Sequence, residues 1–438
     1  MTVTTRFAPS PTGRLHVGNI RAALHNALFA RANSGKFVLR IDDTDAERSS
    51  EAFVDAIHAD LSWLGLNPDA TVRQSERFGL YEREFDRLKA SGRVYACYET
   101  PEELDVRRKV LLGRGLPPVY ERKAPDALVP EGVAPHWRFR LEHGSPIEWD
   151  DLVRGHQKFD PALISDPVVR RADGSWLYLL PSVIDDIDLA ITHIVRGEDH
   201  VSNSATQIQM FAALGSPPPH LAHEALLVAA EGKLSKRLGS TGVDGMRDAG
   251  IEPLALLSLL ARLGTSQPVE ARTSLAALAE GFDFATFGRA PAHFDLAEVE
   301  QLNAKLLHLT DFADVADRLP AGTSEADWNG LRGNVAHLVE IDAWLAVLHG
   351  DIAAPEVVPD DKPLLALATQ IAEQLDWSDE PWRQLIEALK TNSGRKGRGL
   401  FHPLRLALTG QDSGPEMAAL LPLIGRDRAI ARLRHAAS

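Results

Sequence analysis

TVTTRFAPSPTGRLHVGNIRAALHNALFARANSGKFVLRIDDTD, residues 2–45, changes its hydrophobic period three times within one stretch. Residues 3–7 read as a short strand, and residues 8–17 form a loop punctuated by Pro9, Pro11 and Gly13. Ile20, Leu24, Ala27, Leu28 and Arg31 then recur at helical spacing over 20–32, and residues 37–41 return to a strand. Ser49 and Ser50 offer caps for a second helix running to about residue 64, with Phe53, Ile57, Leu61 and Leu64 on one face. Strand, helix, strand, helix implies an α/β fold with a parallel sheet and right-handed crossovers.

Outward from that core the pattern changes. Between about 94 and 182, prolines, glycines and short strand-like runs such as 137–141 suggest an inserted α+β module. The α/β alternation returns with a strand at 191–196 and a helix at 204–213. Beyond about residue 242 the chain is mainly helical and rich in Leu and Ala, as in 253–263, 342–348 and 362–375, with 351–362 reading as a linker. There is no internal repeat and no long low-complexity tract.

Bulk composition narrows the class. A chain of 438 residues with 44% hydrophobic and 25% charged side chains is an ordinary globular protein of several domains. No signal sequence and no membrane-spanning apolar run is visible, which points to a cytoplasmic protein with no membrane partner. A single cysteine, Cys97, excludes an internal disulfide and any multi-cysteine zinc site. The net charge of −14 argues against nucleic acid as a partner, but phosphate binding depends on where cations sit, and 390–405 and 426–434 are locally basic.

Two stretches carry chemistry. In APSPTGRLHVGN, residues 8–19, Gly13 and Gly18 let the backbone approach a bulky anion at the entry of a helix, where free N–H groups and the positive dipole end favour phosphate. His16 and Asn19, three residues apart, can both point at one spot there, as donors to charge building on a phosphate. In EGKLSKRLGS, residues 231–240, Lys233 and Lys236 flank Ser235 and could stabilise a leaving pyrophosphate. Either stretch alone is as compatible with a capping histidine or an exposed loop.

Together, HVGN and KLSKR resemble the HIGH and KMSKS motifs of class I aminoacyl-tRNA synthetases. RFAPSPTGRLHVGN, LRIDDTDAER, VIDDIDLAITHIVRGEDH and the closing HPLRLALTG and ALLPLIGRDRAIARL resemble the glutamyl-tRNA synthetase family, from one end of the chain to the other. The resemblance implies a Rossmann-type catalytic domain at 1–94 and 183–240. It also implies an inserted acceptor-end module at 95–182, a stem-contact domain at 241–312 and an all-α anticodon-binding region at 313–438. It implies glutamate–tRNA ligase activity: ATP activates L-glutamate to the adenylate, and the glutamyl group passes to the terminal adenosine of tRNA.

The roles follow residue by residue. His16, Asn19, Lys233 and Lys236 would be catalytic; Pro9, Gly18, Asp199, Leu227, Leu234 and Ser235 would hold ATP, which arrives with Mg²⁺. Arg6, Ala8, Ser10, Asp42, Tyr178, Ser182 and Arg196 would hold the amino acid, with the two arginines on substrate carboxylates and Asp42 on the α-amino group. A buried substrate carboxylate needs such fixed cations, and both arginines sit at strand ends. Arg398, His402 and Arg405 would contact tRNA-Glu, with tRNA-Gln an open second acceptor, and the family suggests a monomer. The acidic residues Asp42, Asp43, Asp45, Asp185, Asp186 and Asp188 read as caps, turns and ion pairs at the sheet edge rather than as a metal cage.

Three departures stand out. Many bacterial members bind zinc through cysteines in the inserted module, and here only Cys97 remains, so no zinc is expected. Asp42 replaces a glutamate, and Ser182 stands where some members carry an asparagine. Related readings fit less well: a queuosine-type modifying enzyme lacks the long helical C-terminal region, a glutaminyl enzyme usually builds that half from β-barrels, and a non-catalytic paralogue typically loses the catalytic-loop residues.

Overall fold

The computed structural model describes residues 2–45, 47–123, 130–229, 242–353 and 355–438. It divides into two units, Met1–Ala249 with Leu256–Leu296 and Gly250–Ala255 with Ala297–Ser438.

In the first unit, β1 (Thr4–Phe7), α1 (Val17–Ala32), β2 (Lys36–Ile41), α2 (Glu51–Trp63) and β3 (Ala70–Arg73) follow in the order the periodicity predicts. β1 pairs with β2 and β2 with β3, all parallel, with Arg6 opposite Val38 and Arg40 opposite Val72. α1 departs from the one-faced helix expected. Arg21, His25 and Asn26 are buried along with Ile20, Leu24 and Leu28, so the helix is enclosed on nearly every side. Each of these polar side chains finds a partner across the chain: Asn26 Nδ2 donates to Val195 O at 3.0 Å, and His25 Nδ1 lies 2.5 Å from Glu224 Oε1, although Asn26 Oδ1 has no partner among the described residues. α2 differs too. Ser50 holds the cap position without a side-chain hydrogen bond, and the buried face is Val54, Ile57, Asp60 and Leu61 rather than one that includes Phe53.

The chain continues through α3 (Phe78–Ala90), β4 (Val94–Cys97), α4 (Pro101–Gly113), β5 (His136–Phe139), β6 (Ile147–Asp151), β7 (Gly155–Phe159) and β8 (Val168–Arg170). β4, β5 and β8 form an antiparallel sheet and β6–β7 a hairpin, as expected of an α+β insertion. Edge-on contacts of Phe85 with Trp137 and Trp176 fill its core. α5 (Leu179–Asp188), β9 (His193–Gly197), α6 (Val201–Ala213) and β10 (His220–Glu224) restore the α/β pattern, with β9 and β10 parallel. The Thr192 N–H donates to Thr4 O at 2.9 Å, which brings the start of β9 beside β1. β11 (Leu227–Ala229) pairs in parallel with β12 (Ala292–Phe294).

The second unit is helical around an apolar cluster that includes Trp328, Leu365, Leu385, Leu404, Leu421 and Leu433. Arg432, buried, donates to Leu408 O at 2.6 Å, Val347 O at 2.7 Å and Gly350 O at 2.8 Å, so one guanidinium satisfies carbonyls at the ends of two helices. Of the linker expected over 351–362, residues 351–353 and 355–358 carry neither helix nor strand, whereas Pro359–Asp361 form a short 3-10 turn and Lys362 opens a helix. No helix among the described residues is long and apolar enough to cross a membrane.

Candidate active site

Beyond the carboxyl ends of β1, β2 and β9 opens a cleft of about 840 Å³, floored by the turn that enters α1. Its walls carry seven arginines against four carboxylates, although the whole chain is acidic. Local cation excess of this kind suits an anionic ligand.

The turn works through His16. Its ring sits at the N-cap of α1, where Nδ1 accepts from the N–H groups of Gly18 at 3.1 Å and Asn19 at 3.3 Å. Asn19 Oδ1 accepts in return from the His16 N–H at 3.1 Å, which completes a reciprocal cap. These bonds assign the proton to Nε2, and burial holds the imidazole pKa below its ordinary value, so the ring is a neutral donor. Gly18 gains a second reason to be glycine: a Cβ there would lie 3.0 Å from His16 Cε1.

One wall is saturated with charge pairs. Arg40, fully buried, binds Asp42 through Nε at 2.6 Å and Nη2 at 3.0 Å and reaches Asp186 Oδ1 at 2.9 Å. Arg6 Nε donates to the same Asp186 oxygen at 3.1 Å. Burial opposes the Arg40 charge, but Asp42 and Asp186 hold its pKa above the ordinary value. Desolvation in turn raises the Asp42 carboxyl, against the pull of Arg40. Ser182 Oγ accepts from Arg40 Nη2 at 3.2 Å. Asp185 and Asp186 were expected in ion pairs at the sheet edge; the pairs are present, but both side chains are fully buried, with Asp185 accepting from Gln74, Arg77 and Tyr81.

The wall at β9 is different. Arg196, on β9, donates from Nη2 to Ser204 Oγ at 2.6 Å and Gln207 Oε1 at 2.7 Å, both neutral acceptors, and its Nε has no partner among the described residues. Burial, with nearby Arg6, depresses its pKa to about 10. A desolvated cation with no paired carboxylate is costly unless a ligand supplies one.

The cleft gathers the residues expected for the amino acid, Arg6, Ala8, Ser10, Asp42, Tyr178, Ser182 and Arg196, together with Pro9, His16, Gly18, Asn19, Asp199 and Leu227. Lys233, Leu234, Ser235 and Lys236 lie outside the described residues. Arg398, His402 and Arg405 belong to the helical unit. There Arg398 is exposed, His402 Nε2 pairs with Asp412 at 2.9 Å, and Arg405 Nη2 donates to Pro415 O at 2.9 Å while its Nη1 has no partner among the described residues. Sequence reasoning passed over Arg40, whose signal was a lone charge within the apolar run of β2, and Gln207 and Ser204, which carry no local signal.

In the inserted module, candidate donor atoms of Cys97, Glu99 and His136 lie within 4.8 Å of one another. Glu99 Oε2 and His136 Nε2 lack partners among the described residues. Tetrahedral zinc needs four donors, and a ligating cysteine must be a thiolate. Burial raises the Cys97 thiol pKa, the Tyr120 hydroxyl lies 3.3 Å from Cys97 Sγ and 3.1 Å from Glu99 Oε1, and Lys123 pairs with Glu99 at 3.3 Å. These residues do not fit a zinc site.

Residues 2–300 match the family described as tRNA synthetases class I (E and Q), catalytic domain, and residues 353–437 match an anticodon binding domain. The chain is 65% identical over 436 residues to glutamate–tRNA ligase 2 of Sphingopyxis alaskensis, covering 100% of this chain and 99% of that protein. It is 60% identical over 443 residues to glutamate–tRNA ligase 1 of Rhizorhabdus wittichii, covering all of both chains. A crystal structure of a glutamate tRNA ligase from Elizabethkingia meningosepticum in complex with its amino acid is similar at a TM-score of 0.82 and 28% identity. That match covers 100% of this chain and 99% of the other.

Proposed function

The chain belongs to the class I tRNA synthetases for glutamate and glutamine, as a glutamate–tRNA ligase, and from that premise we propose how its residues divide the work. The chemistry is ATP-dependent, and ATP enters with Mg²⁺, held mainly by phosphate oxygens. The α-carboxylate of L-glutamate attacks the α-phosphorus, and pyrophosphate leaves. Neutral His16, through Nε2–H, and Asn19 donate to the charge that develops on the phosphate, with Lys233 and Lys236 on the leaving pyrophosphate. Pro9, Gly18, Asp199, Leu227, Leu234 and Ser235 hold the nucleotide.

Ala8, Ser10, Tyr178 and Ser182 shape the amino-acid pocket. Asp42 meets the α-ammonium, which supplies the positive charge that its desolvated carboxyl needs beyond Arg40. Arg6 and Arg196 take substrate carboxylates. The observation that carries this reading is Arg196 itself, a half-buried guanidinium in the cleft wall whose hydrogen-bond partners among the described residues are neutral acceptors. The adenylate then passes its glutamyl group to the terminal adenosine of tRNA-Glu, with residues 95–182 at the acceptor end, 241–312 on the stem and 313–438, through Arg398, His402 and Arg405, at the anticodon. The working form is a monomer.

Charging of purified tRNA-Glu and tRNA-Gln with labelled glutamate and glutamine tests the assignment, with tRNA present throughout. Glutamate should be accepted and glutamine rejected, and Arg196→Ala should raise KM for glutamate by about 100-fold or more, as expected for a lost buried charge pair. An unchanged KM would remove Arg196 from the pocket. Lys236→Ala should lower ATP–pyrophosphate exchange by roughly two to three orders of magnitude.

A further inference from the structure

Behind Arg196 lies a chain of hydrogen bonds that the adenylate chemistry does not use. Asp151, at the end of β6, accepts on Oδ1 from three backbone N–H groups, those of Val153 at 3.1 Å, Arg154 at 3.0 Å and His223 at 3.0 Å. Its other oxygen lies 2.5 Å from Nδ1 of His223, on β10. His223 Nε2 is 2.7 Å from Ser204 Oγ on α6, and Ser204 Oγ accepts from Arg196 Nη2 at 2.6 Å. Asp151, His223 and Ser204 are all buried, at 4%, 0% and 1% exposure, so bulk water does not compete along the line.

The order of donors follows from the two ends. The carboxylate can only accept, so His223 carries its proton on Nδ1. Nε2 of the neutral ring is then an acceptor, and the Ser204 hydroxyl donates to it. That leaves lone pairs of the serine oxygen for Arg196, which can only donate. We propose that Asp151, His223 and Ser204 form a buried relay that fixes the Arg196 guanidinium in its carboxylate-binding orientation, making Asp151 and His223 positioning residues for glutamate. This rests on the reading of Arg196 as a substrate cation.

The same three residue types serve as a nucleophile, base and orienter in hydrolases, but that role does not fit here. The Ser204 hydroxyl is sealed from the cleft, and its oxygen is occupied by the arginine. The relay also ties the inserted hairpin β6–β7 to the amino-acid pocket, since Asp151 belongs to the insertion and Arg196 to the parallel sheet. Burial pulls the His223 pKa down, which agrees with a neutral ring.

Asp151→Asn is the sharp test. The amide oxygen can keep the backbone bonds, while its NH₂ group faces His223 and forces the proton to Nε2. That proton then points at the serine oxygen, and the serine hydroxyl must turn toward Arg196 or toward His200 O, 3.3 Å away. KM for glutamate should rise about 10- to 100-fold, the usual effect of disturbing one hydrogen bond to a charged group. KM for ATP should change less than about two-fold. Ser204→Ala should do the same without touching Asp151, and Ser204→Thr, which keeps the hydroxyl, should restore most of the affinity. Lower melting temperatures with an unchanged KM for glutamate, or equal changes in both KM values, would overturn the relay. If Arg196→Ala also leaves the glutamate KM unchanged, the pocket assignment fails beneath it. An effect of Arg196→Ala alone overturns only the relay.

Discussion

The two walls of the cleft present the same side chain under opposite electrostatic conditions. Arg40 is fully buried and matched, with Asp42 and Asp186 both within 3.0 Å of its nitrogens. Arg196 is half-buried, and its hydrogen-bond partners among the described residues are a serine and a glutamine. A matched buried pair costs little once assembled, whereas a partly buried cation without a carboxylate partner makes the empty pocket less stable than it could be. Arg40 is therefore part of the scaffold, and Arg196 is a binding group kept at the expense of stability. The contrast teaches that burial of an arginine says little by itself, and that its acceptors decide its role.

Substitution on each wall should separate the two properties. Arg196→Met should cut glutamate charging by about three orders of magnitude while leaving the urea midpoint unchanged or raised, because it removes a desolvated charge. Arg40→Met should cost about 3–5 kcal/mol of stability by stranding Asp42 and leaving Asp186 with Arg6 as its remaining arginine. If both variants lose stability equally, the walls do not differ in kind.

Acid sharpens the comparison further. Asp151 is buried, but its bonds from His223 and backbone N–H groups overcome the burial penalty and hold its pKa at about 2. A carboxyl depressed on folding contributes stability that is complete above its ordinary value near 4 and is lost as pH falls through about 2. The contribution is on the order of 2 kcal/mol. Urea midpoints measured from pH 5 down to 2 should fall more steeply for the native chain than for Asp151→Asn, and parallel curves would refute the assignment.

Smaller effects are expected away from the walls. Gly18→Ala should push the His16 ring from its cap, weaken adenylate formation by about ten-fold and lower stability by about 1 kcal/mol. In the helical unit, Arg405 shares the signature of Arg196, a guanidinium lowered in pKa by burial whose side-chain partner among the described residues is a carbonyl. Arg405→Gln should raise KM for tRNA several-fold, reduce the salt slope of tRNA binding by about 1, and leave KM for glutamate untouched. A normal salt slope would break the analogy.

The alternation of periods in residues 2–64 made the parallel core legible, and the motif at 8–19 pointed to the turn that forms the cleft floor. Residues such as Arg6, His16 and Arg196 were legible because each stands at a strand end or a helix entry, where ligands gather in open α/β sheets. The partners that define their chemistry were not. Asp151 and His223 are 72 positions apart, and His25 and Glu224 are 199 apart, so no local pattern announces either pair. The burial of Arg21, His25 and Asn26 in α1 also breaks the amphipathic rule for a surface helix, since distant segments supply a partner to each of these side chains.

Arg432 has a consequence for synthesis on the ribosome. The carbonyls of Val347, Gly350 and Leu408 are made long before it, and they wait for a donor that arrives only with the helix Arg426–Ala437. Until that helix emerges, the nascent helical unit also lacks Leu433 and Ala436 from its apolar cluster. A chain stalled a dozen or so codons earlier would present sticky, incomplete helices to chaperones and proteases, although its cleft residues were translated long before.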